Sequence, residues 1–98
     1  MRTRYIVSYD IADPKRLRRV HRTMRGYGDA LQYSVFRCDL SPAERILMIE
    51  ALTPIINHRE DQIMLIRLGP ADGKACESIE TVGRALDDDH AERVAVIA

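Results

Sequence analysis

The residues best suited to chemistry lie in the first quarter of the chain, where an apolar segment ends on a carboxylate. The run Tyr5-Ile6-Val7-Ser8-Tyr9 is followed by Asp10, and a second acid, Asp13, stands at the next turn. A carboxylate at a strand end is an oxygen ligand of the kind that Mg²⁺ or Mn²⁺ prefers. Such an ion can orient a water and neutralise charge on a phosphodiester. Asp10 is therefore a candidate metal ligand, and a turn-forming aspartate is the alternative on residue type alone.

A cluster of basic residues follows in one predicted helix, and no acid interrupts it. The cluster comprises Lys15, Arg16, Arg18, Arg19, Arg22 and Arg25. A solvated helix face usually mixes charges, because residues four apart then form ion pairs. Like charges at this spacing repel each other, so a polyanion such as nucleic acid is one explanation. The alternative is that acids of the second half, such as Glu60, Asp61 or Glu92, pair with the arginines across the fold.

The overall composition conceals this pattern. The chain has fifteen basic and fifteen acidic side chains, so its formal net charge is zero. Residues 1–49 carry ten Lys and Arg against five Asp and Glu, whereas residues 50–98 carry five against ten. A basic patch can bind phosphate even when the total cancels. Thirteen of the fifteen basic residues are arginine, which suits bidentate phosphate contacts, although genome composition explains such usage equally well.

Length and motif content restrict the class of protein. We assign residues 1–98 to a single domain, and a domain of this size buries only about 60–68% of its unfolded surface, which favours oligomerisation. Cys38 and Cys76 lack metal-ligand spacing and are expected to be reduced thiols. The chain shows no membrane-length apolar run and no signal-peptide pattern, so we expect a cytoplasmic protein. Phosphate loops, nucleophile elbows, zinc spacings and dinucleotide fingerprints are absent from the sequence.

The first elements are predicted as a strand and a helix. Residues 3–9 are rich in strand formers. Asp13 is the expected N-cap of the helix and Pro14 its first residue, which accounts for Asp13 without a metal. The helix is expected to end near Arg25, and its buried stripe is Leu17, Val20, His21 and Met24. His21 is thus expected at the edge of the core rather than as a catalytic base.

Further strands and a second helix follow. Residues 29–40 are predicted as one long strand or two short ones, in which Tyr33 or Phe36 could stack on a base, although a core or interface role is the stronger interpretation. Ser41-Pro42-Ala43-Glu44 is a capping box that starts the second helix. Its expected core face is Ile46, Ile49, Leu52 and Ile56, and Pro54 is expected to distort its last turn. Residues 63–68 are the next strand.

This order predicts a ferredoxin-like α+β sandwich, βαββαβ, with both helices on one face of an antiparallel sheet. In the first strand, Tyr5, Val7 and Tyr9 alternate with a more polar set that ends on Asp10. The apolar set is expected under the helices, so Asp10 lies on or near the open face. Two copies that pack through their open faces would bring two Asp10 carboxylates together around one ion.

The tail, about residues 70–98, does not continue the pattern of the core, about residues 1–69. Turn signals at Gly69-Pro70 and Asp72-Gly73 open it, and Asp87-Asp88-Asp89 is expected to be a solvated acidic turn. Residues 93–98 are predicted as a strand that is apolar on both sides and needs cover on both. We hypothesise that this strand is swapped onto the sheet edge of a second subunit.

Two motifs at this separation resemble the CRISPR-associated Cas2 family. The first is Tyr9-Asp10-Ile11 with Asp13-Pro14-Lys15-Arg16 and, on the helix, Arg19. The second is Gln32-Tyr33-Ser34-Val35-Phe36 after a glycine-containing turn. The similarity extends over the start of the second helix, the strand at residues 61–68 and the tail segment Val82-Gly83-Arg84, so it spans most of the chain.

The resemblance implies a ferredoxin-like homodimer whose C-terminal strand completes the partner's sheet. It also implies a role in the spacer-acquisition stage of CRISPR defence, as a Mg²⁺- or Mn²⁺-dependent endonuclease on single-stranded RNA or double-stranded DNA. The alternative is a non-catalytic scaffold that holds DNA between dimers of the Cas1 integrase. By motif match, Asp10 is the metal ligand and catalytic residue, Arg16 and Arg19 contact phosphate, and Tyr9 and Phe36 belong to the nucleic-acid site.

Overall fold

The order of strands and helices places two helices over one antiparallel sheet. The computed structural model describes residues 1–73 and 79–84. Its elements are β1 (Thr3–Asp10), α1 (Pro14–Met24), β2 (Asp29–Gln32), β3 (Val35–Leu40), α2 (Pro42–Leu52) and β4 (Gln62–Pro70). The sheet has the order β2-β3-β1-β4, and all neighbours are antiparallel. This confirms the predicted ferredoxin-like α+β sandwich and resolves residues 29–40 into two short strands.

Helix α1 begins at the predicted cap. Asp13 Oδ2 accepts hydrogen bonds from the backbone N–H groups of Lys15 and Arg16, each at 3.0 Å. These bonds, above all the one from Arg16, hold the pKa of the Asp13 carboxyl below its usual value. Beyond the end of the helix, Gly28 approaches β3 closely, since a Cβ at this position would lie 2.6 Å from the Sγ atom of Cys38. Glycine therefore allows the end of α1 to pack directly against the sheet.

Helix α2 begins with the predicted capping box, and its buried face differs from the predicted one at Ile46, which is exposed, and at Met48, which is buried. The N–H of Ser41 donates to Glu44 Oε1 at 2.8 Å, and the N–H of Glu44 donates to Ser41 Oγ at 3.1 Å. The buried residues are Met48 and Leu52, whereas Ile46 is 53% exposed, so its predicted place in the core is wrong. Apolar residues at positions 46–49 surround the helix axis, and their pattern does not define one face. The helix ends at Leu52, before Pro54 could distort it.

The core lies between the helices and the inner face of the sheet. Its fully buried side chains are Val7, Val20, Met24, Phe36, Cys38 and Met48. Burial raises the pKa of the Cys38 thiol to about 12, so this cysteine is a protonated and unreactive core residue. Cys76 lies outside the described residues, as do the predicted acidic turn at 87–89 and the predicted strand at 93–98. The described helices include none that is long and apolar enough to cross a membrane.

Among the described residues, both helices lie on one face of the sheet, and no helix covers its outer face. Ser8 lies between Val35 and Met64, and one row further along Ile6 lies between Arg37 and Ile66. Met64 and Ile66 are 47% and 43% exposed, so an apolar surface remains over β1 and β4. Toward β2 and β3 the face is charged, with ion pairs between Arg4 and Asp39 at 2.7 Å and between Arg37 and Asp29 at 3.4 Å. We call this surface the open face.

Candidate nucleic-acid and metal site

Asp10 is an exposed carboxylate at the end of β1, on the same side of the strand as Ile6 and Ser8. Its register partner in β4 is Gln62. Within residues 1–73 and 79–84, its side chain makes no ion pair. The same residues hold no group of three or more His, Cys, Asp or Glu side chains that could bind a metal ion. Within the described residues Asp10 is therefore not part of a complete metal site, and a bound ion would need further ligands from elsewhere, such as a second copy, water or substrate.

A second carboxylate near the end of β1, that of Asp61, is fully used in holding the fold together. Its side chain has no exposed surface and accepts hydrogen bonds from the N–H groups of Ala12 at 2.9 Å and Asn57 at 2.8 Å. Arg16 adds two bonds, from Nε at 2.8 Å and from Nη2 at 3.2 Å. Asp61 is thus a structural anchor for the turn that follows Asp10 rather than a free metal ligand.

The surroundings of the Asp61 carboxyl favour its ionised form. The guanidinium of Arg16 is the largest cause that holds the pKa of Asp61 well below its usual range, and the N–H groups of Ala12 and Asn57 act in the same direction. Because the folded pKa is lowered, the stability from ionised Asp61 is present at neutral pH. That contribution is lost as pH falls through the folded pKa.

Arg16 is engaged by carboxylates rather than free. Besides Asp61, its Nη2 atom lies 3.1 Å from Glu60 Oε1. For Arg16 the structure therefore shows the second of the two explanations of the basic cluster, in which acids of the second half of the chain pair with the helix. Its phosphate contact stays a prediction, and a phosphate would have to compete with two carboxylates for the guanidinium. The sequence contained this signal, since Glu60 and Asp61 are adjacent acids.

The other basic side chains of α1 form an outward surface, which we call the arginine face. It consists of Lys15, Arg18, Arg19, Arg22 and Arg25, all of them exposed. Their spacing of three or four residues places them on one side of the helix. In the part of the chain that the structure describes, none of them forms an ion pair. The predicted phosphate contact Arg19 belongs to this positive surface, with which the acids of the described residues form no ion pair.

Tyr9 and Phe36 lie in the core and do not form a surface site. Phe36 is 0% exposed and Tyr9 is 4% exposed, because both side chains face the helices. Their burial makes both rings part of the core in this structure, and a role of Tyr9 and Phe36 in the nucleic-acid site stays a prediction. Burial raises the pKa of Tyr9 to about 12, so its hydroxyl remains a hydrogen-bond donor at neutral pH.

The hydroxyl of Tyr9 fixes the turn between β2 and β3. It donates to the carbonyl oxygen of Tyr33 at 2.8 Å, and the N–H of Tyr9 donates to the carbonyl of Ser34 at 3.0 Å. His21 Nδ1 lies 3.0 Å from both the Tyr9 hydroxyl and the Tyr33 carbonyl. A proton on Nδ1 suits both of these acceptors, so we assign that tautomer. Residues from β1, α1 and the hairpin turn thus form one polar cluster beside Phe36.

The candidate metal ligand and the arginine face lie on different layers. Tyr9 points toward the helices, and Asp10, the next residue, points to the opposite side of β1. The arginine face belongs to the helical layer. The candidate phosphate-binding surface and the candidate metal ligand are thus separate places on the molecule.

Comparison with known proteins identifies the family. The family model of CRISPR associated protein Cas2 matches residues 1–74. The CRISPR-associated endoribonuclease Cas2 1 of Rhodospirillum rubrum is 43% identical over 83 residues, which cover 85% of this chain and 80% of that protein. The CRISPR-associated endoribonuclease Cas2 of Geobacter sulfurreducens is 42% identical over 83 residues, which cover 85% and 86%.

A solved structure shows the same fold. The crystal structure of Streptococcus pyogenes Cas2 at pH 6.5 matches with a TM-score of 0.70 and 35% sequence identity, and the match covers 82% of this chain and 99% of that one. Sequence and fold therefore agree with the resemblance carried by the two motifs. The chain belongs to the CRISPR-associated Cas2 family.

Proposed function

We propose that this protein acts in the spacer-acquisition stage of CRISPR defence as a homodimer that binds nucleic acid and cleaves phosphodiester bonds with Mg²⁺ or Mn²⁺. The observation that carries the proposal is the exposed Asp10 carboxylate, which has no ion pair among the described residues and stands at the edge of the open face. Relatives in Rhodospirillum rubrum and Geobacter sulfurreducens are named endoribonucleases, which supports RNA as a substrate. Double-stranded DNA is the other candidate substrate.

Two apolar surfaces of the described structure support a dimer. The open face exposes Met64 and Ile66 beside the strand that ends on Asp10. A groove of about 250 Å³ lies between α2 and the edge strand β4, and it is lined by Ile49, Leu52, Thr53, Ile56, Ile63 and Leu65. We propose that a second copy covers the open face. Residues 93–98, outside the described part of the chain, are proposed to extend the partner's sheet.

The donor set fits a hard divalent cation. Mg²⁺ usually binds through one or two carboxylates, water and substrate phosphate oxygens, and two copies of Asp10 would supply that number. When bound, the ion would supply charge neutralisation at the phosphodiester and activation of a water. The protein's own contribution is to hold Asp10 at the end of β1 and to fix the following turn, because Asp61 accepts the N–H of Ala12.

Cleavage of single-stranded RNA and double-stranded DNA at several Mg²⁺ concentrations tests this function. We expect cleavage to require Mg²⁺, to stop when EDTA removes the metal, and to resume when Mg²⁺ is restored. Mn²⁺ is expected to substitute, since it accepts the same oxygen ligands. Sedimentation of the same sample is expected to show a dimer. Undiminished cleavage by EDTA-treated protein would contradict the metal-dependent mechanism.

A second candidate is a non-catalytic scaffold that holds a DNA duplex while the Cas1 integrase performs the chemistry. The observation that favours it is the arginine face, because five exposed basic side chains lack ion pairs in the described residues. A positive helix surface binds the phosphate backbone without reading sequence. Both functions can reside in one molecule, since Asp10 and the arginine face lie on different layers.

Replacing Arg18, Arg19 and Arg22 together by alanine is expected to weaken duplex binding and its dependence on salt. For B-form DNA, removing one cationic side chain from a phosphate lowers the slope of log K against log salt by about 0.9. Fluorescence anisotropy at several salt concentrations measures this slope. Arg59→Ala, an exposed arginine outside α1, is the matched control and is expected to leave the slope unchanged. An unaltered slope in the triple variant would exclude the arginine face as the phosphate-binding surface.

A further inference from the structure

Tyr33 is an exposed aromatic ring that is already stacked on one side. It is 54% exposed in the turn between β2 and β3. Its ring lies nearly parallel to that of His21, with 4.3 Å between ring centroids and 6° between the planes. Within the described residues this is its single aromatic contact. His21 therefore covers one ring face, and among the described residues no other ring covers the second face of this half-exposed side chain.

The position of this ring is fixed before any ligand arrives. The carbonyl of Tyr33 accepts hydrogen bonds from the Tyr9 hydroxyl at 2.8 Å and from His21 Nδ1 at 3.0 Å. His21 is held in turn by the edge of the Phe36 ring, with 5.3 Å between centroids. A side chain that is already ordered loses little conformational entropy when a ligand binds, so a contact with it contributes more to affinity.

Two arginines lie one helical turn from His21, on the same side of the helix. Arg18 precedes His21 by three residues within α1, and Arg25, the C-cap residue directly after α1, follows it by four. Both are exposed and form no ion pair among the described residues. An aromatic platform next to arginines is the combination by which proteins bind single-stranded nucleic acid, with bases on rings and phosphates on cations.

We propose that Tyr33, backed by His21, is a stacking platform for one unpaired nucleobase of single-stranded nucleic acid whose phosphates contact Arg18 and Arg25. The proposal rests on the nucleic-acid binding proposed above and adds the kind of nucleotide that is bound. A paired base within a duplex is not accessible to the ring, so the platform selects single strands or frayed ends.

Binding of three matched probes to Tyr33→Leu tests the platform. Leucine keeps an apolar side chain and removes the aromatic ring. For a short single-stranded oligonucleotide we expect the Kd to rise roughly 5- to 150-fold, which is the range for loss of one base–aromatic stack. An abasic oligonucleotide of equal length and a blunt duplex carry the same phosphates without an accessible base. Their Kd values are expected to be unchanged, and Tyr33→Phe is expected to bind all three probes like the original protein.

The outcomes separate this proposal from the broader one. Equal binding of the single strand by Tyr33→Leu and the original protein would overturn the platform while leaving nucleic-acid binding intact. An equal loss for the abasic probe would also overturn it, because the ring would then act through the fold or the backbone. If the original protein bound none of the probes, both proposals would fail.

A spectroscopic measurement gives a second readout that does not rely on loss of binding. The chain contains no tryptophan, so Tyr33→Trp would carry a single fluorescent indole at the platform. Stacking predicts that its emission is quenched by the single-stranded oligonucleotide and not by the abasic one. Ile46→Trp, on the exposed side of α2, is the matched control and is expected to respond to neither probe. Equal emission changes with both probes at Tyr33→Trp would overturn the stacking geometry.

Discussion

Replacing Asp10 by asparagine is expected to lower the rate of Mg²⁺-dependent cleavage at least about 100-fold, because even the outer partners of metal ligands cost about 10–100-fold when removed. Asparagine keeps the size of the side chain and removes its negative charge. Since Asp10 is exposed and makes no ion pair among the described residues, the fold is expected to be unaffected. Cleavage rates at saturating Mg²⁺, together with circular dichroism spectra, measure both effects.

Asp13→Asn is the matched control for this substitution. Asp13 lies three residues away but caps α1, and asparagine caps a helix about as well as aspartate. Cleavage by this variant is therefore expected to equal that of the original protein. Undiminished activity of Asp10→Asn would remove Asp10 from the mechanism. A loss of cleavage with retained duplex affinity would show that the metal site and the arginine face act independently.

Replacing Phe36 by alanine is expected to reduce the free energy of unfolding by about 3–5 kcal/mol. Phe36 is fully buried and packs against Tyr9 and His21, so its removal leaves a cavity in the middle of the core. Native proteins have a free energy of unfolding of about 5–15 kcal/mol, so this substitution removes a large part of it. Urea unfolding at one fixed protein concentration measures the change, because a dimer would make stability depend on concentration.

Phe36→Leu separates this structural role from a role in binding. Leucine fills much of the space and is expected to leave the protein folded and less destabilised than alanine does. Since the ring is buried and a blunt duplex does not use the Tyr33 ring, the duplex affinity of the folded Phe36→Leu protein is expected to match the original. A large loss of duplex affinity in this folded variant would mean that Phe36 contacts the ligand after all.

Local signals predicted the elements of this fold accurately. Asp13-Pro14 and the capping box at Ser41 start the two helices where expected, because a cap depends on residues only two or three positions away. The alternation of side chains along β1 correctly separated Asp10 from Tyr9. Such features depend on neighbouring residues, and a single sequence contains them.

Features that depend on distant residues were harder to predict. The buried face of α2 is selected by what packs on Met48 and Leu52, since apolar residues occur all around that helix. The stack of Tyr33 on His21 joins residues twelve positions apart. It depends on how the turn between β2 and β3 packs against α1, which is a tertiary contact. The core role that the sequence favoured for Phe36 is confirmed, but its place beside Tyr9 and His21 depends on contacts between distant elements.

The hydrogen bonds of Asp61 join three parts of the chain into one cooperative unit. The carboxylate binds the backbone at Ala12, the backbone at Asn57 and the side chain of Arg16. Local opening of the loop before β4 would release all three at once, so we expect these segments to exchange their amide hydrogens as a single unit rather than one by one. The turn that directly follows the candidate ligand Asp10 is thus tied to a loop that is remote in sequence.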